Sequence, residues 1–127
     1  MTKHLIDTNV LSEIFYGNAG IRKLVEGIDS GIDTVIYIES IQGAIAKRDK
    51  EKIKDSLAGL KYYPHTSEIA LLAIELIDKY SSAHGLLLAD AMIAATAISY
   101  DLTLVTYNLK HFRFIKGLSV VEPKPHK

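Results

Sequence analysis

The chain of 127 residues is nearly half apolar (48%), carries 15 basic and 15 acidic side chains for a formal net charge of zero, and has no cysteine. These figures exclude a disulfide framework and thiolate-held metals, suit one core in a single domain, 1–127, and give no global field to draw in a polyanion. No run reaches the roughly 20 apolar residues that span a bilayer, and no signal-peptide-like segment stands before the first apolar run, so a cytoplasmic protein with no membrane partner is expected.

His4-Leu5-Ile6 reads as a buried strand, followed by a short helix over about 9–16 that Gly17-Asn18 stops. Ile21, Leu24, Val25 and Ile28 recur at helical spacing, and Ser30-Gly31 ends their helix. Thr34-Val35-Ile36 predicts the second strand, leading into a helix over about 38–47 with Ile38, Ile41 and Ile45 on its apolar side. The charged run 47–55 supplies a turn and the solvent face of another helix, whose buried stripe is Ile53, Leu57 and Leu60. Lys61-Tyr62-Tyr63 is read as a third strand with its tyrosines in the core. Thr66 or Ser67 caps a long helix with Ile69, Leu72, Ala73, Leu76 and Tyr80 inward, and residues 81–85 break it. A helix around Asp90 then runs to about Tyr100, a fourth strand covers 102–106, and 118–121 forms a short fifth. Strands separated by helices predict an α/β fold, a four- to five-stranded parallel sheet with helices on both faces. Sites in such sheets lie beyond the carboxyl ends of the strands.

Charge placement within that frame is the informative part. Between Leu86 and Ile98 the one charged residue of thirteen is Asp90, set in Leu-Leu-Leu-Ala-Asp-Ala-Met-Ile-Ala-Ala-Thr-Ala-Ile. A helix apolar on nearly every side belongs in an interior, and a carboxylate there must shift its pKa, find a partner or bind a metal. Asp7 follows the first strand at its carboxyl end, and Thr106-Tyr107-Asn108 follow the fourth at the same edge. Glu39 stands just after the second strand, sharing a face with Gln42, Gly43 and Ala46, and a glycine one turn from it suggests close approach by another element. Asp7, Glu39 and Asp90 thus converge on one edge, and all-oxygen ligands with no Cys and no patterned His suit Mg²⁺ or Mn²⁺. The five histidines show no metal-ligand spacing; His111 fits either a place near the site or a packing or surface role. Asp78 and Asp101 are read as structural. From Tyr107 onward Lys110, Arg113, Lys116, Lys124 and Lys127 face only Glu122, which fits either a solvated end or phosphate contact.

Leu5-Ile6-Asp7-Thr8-Asn9-Val10, Glu39 with Gly43 after it, Leu88-Ala89-Asp90-Ala91-Met92-Ile93-Ala94-Ala95-Thr96-Ala97 and Leu104-Val105-Thr106-Tyr107-Asn108 before His111-Phe112 together resemble the PIN-domain ribonucleases. By its size the chain is similar to VapC-type toxins of toxin–antitoxin pairs. The resemblance covers the chain from end to end and implies a PIN-like, Rossmann-like three-layer fold. It also implies an endoribonuclease that cleaves RNA with a water activated by Mg²⁺ or Mn²⁺, leaving 5′-phosphate and 3′-hydroxyl ends. It assigns Asp7, Glu39 and Asp90 as metal ligands and catalytic acids, with Thr8, Asn9 and Thr106 as supporting polar groups. Asn108 is placed at the catalytic position where many members carry a fourth acid, which leaves three carboxylates. Tyr107 stands where basic residues are common and offers a ring for stacking on a base. A VapB-like antitoxin and a homodimer are the implied protein partners.

Two other folds with acids on one sheet edge fit poorly. A response-regulator receiver needs adjacent acids after its first strand and an acceptor Asp after its third, where this chain has Asp7-Thr8-Asn9 and Pro64-His65. A haloacid-dehalogenase-type phosphatase needs Asp-x-Asp, and Asn9 breaks that pattern. The remaining alternative is a catalytically weak or inactive PIN-like module that binds RNA or protein, a reading that the neutral Asn108 keeps open.

Overall fold

The computed structural model describes residues 2–44 and 46–124. Five strands, β1 (Lys3–Ile6), β2 (Asp29–Asp33), β3 (Lys61–Tyr63), β4 (Thr103–Val105) and β5 (Ser119–Val121), form one all-parallel sheet in the order β3-β2-β1-β4-β5. Six helices link them: α1 (Thr8–Phe15), α2 (Ala19–Glu26), α3 (Thr34–Gln42), α4 (Lys47–Leu57), α5 (Ser67–His84) and α6 (Leu88–Ser99). The chain steps outward from β1 to β2 to β3, then crosses back over the sheet to β4. Because parallel crossovers are right-handed, that reversal sets α1–α4 on one face and α5–α6 on the other. It also creates the switch point between β1 and β4, where a parallel sheet opens a crevice at its carboxyl edge.

The central strand is the driest: Leu5 and Ile6 on β1 and Leu104 on β4 are fully buried, and Leu5 pairs with Gly31 on one side and Leu104 on the other. Helix α6 carries much of the rest of the core through Ala91 and the run from Ile93 to Ala97. Its first turn is different, since Leu87 and Leu88 lie open to solvent. The long helix α5 buries Ile69, Ala73, Leu76 and Tyr80 as its spacing requires, with Thr66 Oγ1 capping Ile69 N at 3.2 Å.

The second strand is where the sequence misleads. Thr34-Val35-Ile36 are not a strand but the first turn of α3, and the strand is the polar-looking Asp29-Ser30-Gly31-Ile32-Asp33. The cause is Asp33, whose carboxylate accepts the Ile36 N–H at 2.9 Å and caps a helix that starts at Thr34. The strand's other polar groups are also spoken for: Ser30 Oγ donates to the Val25 carbonyl at 2.8 Å, and Asp29 pairs with Lys61 at 3.0 Å. Accordingly α2 ends at Glu26, ahead of Ser30-Gly31.

Helix α3 stops at Gln42, with Gly43 as its C-cap and Ala46 beyond it, so neither is a helix-interior neighbour of Glu39. Among the described residues, a Cβ on Gly43 would meet only ordinary contacts with the Glu39 and Ser40 carbonyls of its own helix, not a close approach by another element. Ile38 is 55% exposed; Ile36 and Ser40 face the core instead, and Ile45 lies outside the described residues. Tyr62 is likewise exposed, because β3 is an edge strand, and Tyr63 is half-buried against Tyr100. Residues 81–84 continue α5, which ends at Gly85 in the left-handed region (φ 67°).

Gly31 answers to a close approach. A Cβ built there would lie 2.3 Å from Cε2 of Tyr63 and 3.0 Å from the Lys61 carbonyl, so the ring packs where a side chain would go. Gly31→Ala is expected to destabilise the fold by roughly 1–3 kcal/mol, the usual cost of overpacking. Urea unfolding measures it, and an unchanged midpoint would contradict the packing described.

Candidate active site

Asp7 is the first residue past β1, and its backbone N–H continues the ladder to the Val105 carbonyl at 3.0 Å. Its side chain turns back as the N-cap of α1, with Oδ1 accepting the Thr8 N–H at 2.8 Å. Across the switch point, fully buried Thr106 donates its hydroxyl to Asp7 Oδ2 at 2.8 Å. The same Oγ1 accepts from Asn9 Nδ2 (3.2 Å) and from the Asn108 backbone N–H (3.0 Å). Asn9 Oδ1 in turn accepts the Tyr107 N–H at 3.3 Å. One hydroxyl therefore locks the ends of β1 and β4 together around a carboxylate that is 7% exposed.

Glu39 reaches this edge from α3: Thr8 Oγ1 donates to its Oε1 at 2.7 Å. Asp90, in the first turn of α6, meets Nδ1 of His111 at 3.3 Å, so His111 does stand beside the acidic edge. Asn108 is exposed, and its contribution to the network is its backbone N–H. The acids are close enough to feel one another. Burial pushes the Asp7 carboxyl up to about 6, hydrogen bonds from Thr106 and Thr8 pull the other way, and the charges of Asp90 and Glu39 raise it further. Burial also raises Asp90, while His111 opposes the shift.

This carries a signed pH dependence. A carboxyl whose folded pKa of about 6 exceeds its ordinary 3.8 holds more protons folded than unfolded between those values. Its contribution then opposes folding increasingly as pH rises through that window, to a full cost of roughly 3 kcal/mol above it. In metal-free protein, the stability of the parent relative to Asp7→Asn is expected to fall from pH 4 toward pH 7. Unfolding titrations across that range check it, and a pH-independent difference would contradict it.

A second polar cluster escaped the sequence reading. Asp33, fully buried at the end of β2, caps α3 with Oδ1, while Oδ2 accepts from Thr96 Oγ1 at 2.7 Å and lies 2.9 Å from Nε2 of His65. One carboxylate thus ties the helix bearing Glu39, the helix bearing Asp90 and the loop after β3. The available signals were an acid three residues before Ile36, as an N-cap requires, and a lone Thr96 in an alanine-rich helix.

Beside Thr8 and Glu39 a groove of about 700 Å³ opens between α1, α3 and α4, lined also by Phe15, Arg22, Lys52 and Ile53. Among the described residues, no three His, Asp or Glu side chains stand close enough to hold an ion unaided. The donor set nonetheless fits a hard cation that keeps much of its water. Mg²⁺ is commonly held through one or two carboxylates plus waters and substrate phosphate, and the carboxylates of this edge include Asp7 and Asp90, whose raised pKa a cation would relieve.

The PIN domain family model matches residues 4–117. The chain belongs to the PIN domain family. It is 30% identical over 118 residues to Ribonuclease VapC10 of Mycobacterium tuberculosis, an alignment covering 90% of this chain and 89% of that one. It is also 30% identical over 125 residues to Ribonuclease VapC1 of Methanocaldococcus jannaschii, covering 95% and 88%. Among solved structures, a toxin–antitoxin complex from Klebsiella pneumoniae contains a chain that superposes with a TM-score of 0.80 at 28% identity, covering 98% of this chain and all of that one. The parallel sheet and helices are thus those of a PIN domain, as its sequence pieces predict.

Proposed function

We propose that this PIN domain is an endoribonuclease that cuts RNA with Mg²⁺ or Mn²⁺, and that it is the toxin of a toxin–antitoxin pair. The observation that carries the reading is the switch-point network, in which Thr106 orients Asp7 and Thr8 orients Glu39, with the charge of Asp90 reaching Asp7 from α6. Asp7, Glu39 and Asp90 would hold the cation. When bound, it supplies positive charge to a phosphate oxygen and lowers the pKa of a bound water toward neutrality. Thr106 keeps Asp7 turned toward the crevice, and Thr8 does the same for Glu39. The ring of Tyr107, exposed next to the network, offers a face for a base.

The toxin–antitoxin complex among the similar structures supports a VapB-like antitoxin as partner; the toxin itself would act in the cytoplasm as a homodimer. The groove beside Thr8 and Glu39 gives a segment of such a partner a seat, and a basic side chain there would meet the Glu39 carboxylate. Among the described residues no helix is long and apolar enough to cross a membrane.

The test is cleavage of single-stranded RNA by purified protein with Mg²⁺, with Mn²⁺, and after exhaustive chelation. Cutting that needs either ion, stops with chelator and does not need added Zn²⁺ supports the reading. RNA binding without cleavage under every condition would overturn it in favour of a non-catalytic PIN module.

A further inference from the structure

Beyond β4 the chain makes a short 3-10 turn, Leu109–His111, and then a string of tight turns to Leu118. Local backbone bonds hold it: His111 N–H to the Asn108 carbonyl (3.0 Å), Phe112 (3.1 Å) and, one residue further on, Arg113 (2.8 Å) to Leu109, Ile115 to Phe112 (3.0 Å) and Leu118 to Ile115 (3.4 Å). Three residues per turn bring side chains at i and i+3 over one another. Burial obeys that period. Phe112 and Ile115 are buried, with Leu109 and Leu118 partly so, while Lys110, Arg113 and Lys116 are all exposed. The third row anchors the segment, for His111 meets Asp90 and Phe114 stacks on His84 at 4.2 Å and 5°. The Lys116 backbone N–H also donates to Tyr80 Oη at 3.2 Å.

The three cations therefore recur at every third residue of an anchored segment, whose near end adjoins Asn108 and His111 at the acidic edge. No acid interrupts residues 109–118. Among the described residues, none of the three enters an ion pair, whereas Arg22, Lys54 and Lys61 each do. The other basic stretch, on α4, interleaves Lys50, Lys52 and Lys54 with Asp49, Glu51 and Asp55, and Lys54 pairs with Glu51 there. A protein of zero net charge with an acidic reaction edge repels a polyanion there, so attraction has to come from a local strip.

We propose that Lys110, Arg113 and Lys116 form a phosphate-binding ridge that guides the backbone of single-stranded RNA to the acidic edge. The proposal rests on the ribonuclease reading and names the surface that gives its substrate affinity. Phosphate contacts position a strand and carry no base information, so the ridge sets affinity and register and leaves cut-site choice to other residues.

The experiment compares the parent with a Lys110→Gln, Arg113→Gln, Lys116→Gln triple variant. Binding of a labelled oligouridylate is measured against salt concentration with chelator present, and cleavage of the same RNA is measured with Mn²⁺. Each lost phosphate contact on a single strand lowers the slope of log K against log salt by about 0.7, so the triple variant is expected to lose about 2 in slope. Its KM should rise roughly tenfold or more at low salt while kcat stays at the parent value. A charge-matched control, Lys47→Gln, Arg48→Gln, Lys50→Gln on α4, should keep the parent slope. The single variants, expected to lose about 0.7 each, guard against misfolding of the triple. A triple variant with the parent's slope and KM overturns the ridge while leaving the ribonuclease standing. So does an α4 control that loses as much, or ridge variants whose only defect is binding of an acidic partner protein. A parent that neither binds nor cuts RNA overturns the ribonuclease reading itself.

Discussion

Glu39→Gln is expected to lower RNA cleavage by roughly 10²-fold or more, the scale seen when one electrostatic group is removed from a preorganised site. The substitution is clean, because an amide oxygen still accepts the Thr8 hydroxyl that now reaches Glu39 Oε1. Only the charge that would hold a hard cation is lost. Asp7→Asn should cost as much activity but also disturb the network. Thr106 Oγ1 already accepts from Asn9 and Asn108 and gives its one proton to Asp7, while Thr8 N–H donates to the other oxygen. An amide at position 7 would point N–H groups at a donor whichever way it turned. Rates of labelled RNA cleavage, with circular dichroism and unfolding curves for each variant, check both. A folded Glu39→Gln protein that cuts like the parent would remove Glu39 from the site.

Asp33→Ala is expected to destabilise the protein by about 2–4 kcal/mol, with a proportionate effect whether or not metal is present. It removes an N-cap, typically about 1 kcal/mol, and leaves the buried Thr96 hydroxyl and the His65 ring without their carboxylate. Asp33→Asn should be milder, about 1 kcal/mol, because Oδ1 can keep the cap and Thr96 can turn its proton to the Met92 carbonyl it already approaches at 3.0 Å. Denaturant titration of the three proteins decides it. Equal losses in Ala and Asn would mean that the buried charge, not the bonds, matters.

The parts of this molecule that were legible in advance are those where pattern and chemistry coincide. The α5 stripe from Ile69 to Tyr80, the burial of the Asp90 helix from Ala91 onward though not of the turn that bears Asp90, and the placement of Asp7 and Thr106 at strand ends follow from periodicity and from the rule for parallel-sheet sites. Strand β2 was illegible for the opposite reason. Its Asp, Ser and Gly residues look like a turn, and what makes them a strand is tertiary: Tyr63 over Gly31, Lys61 on Asp29, Val25 below Ser30. The error moved the start of α3 and hid Asp33, because a cap is visible only when the helix start is correct. Ile38 shows a smaller version of the same effect, an apolar residue on the outward side of a helix whose register began four residues earlier than expected. The basic stretch after Tyr107 left its alternatives open because a period of three in tight turns matches neither the helix nor the strand period. Its end, Lys127, and His126 lie outside the described residues.

Thermal unfolding of the parent and of Asp90→Asn, each with and without Mn²⁺, tests whether Asp90 shares with Asp7 and Glu39 an acidic edge that is strained without a cation and relieved by one. Asp90 lies in a partly dehydrated place whose burial raises its pKa, and its charge adds to that of Asp7. Its pairing with exposed His111 offers little in return. Asp90→Asn, though inactive, is expected to be more stable than the parent without metal by on the order of 1 kcal/mol, and to gain less from Mn²⁺. A variant that melts below the parent without metal and responds to Mn²⁺ as the parent does would contradict it.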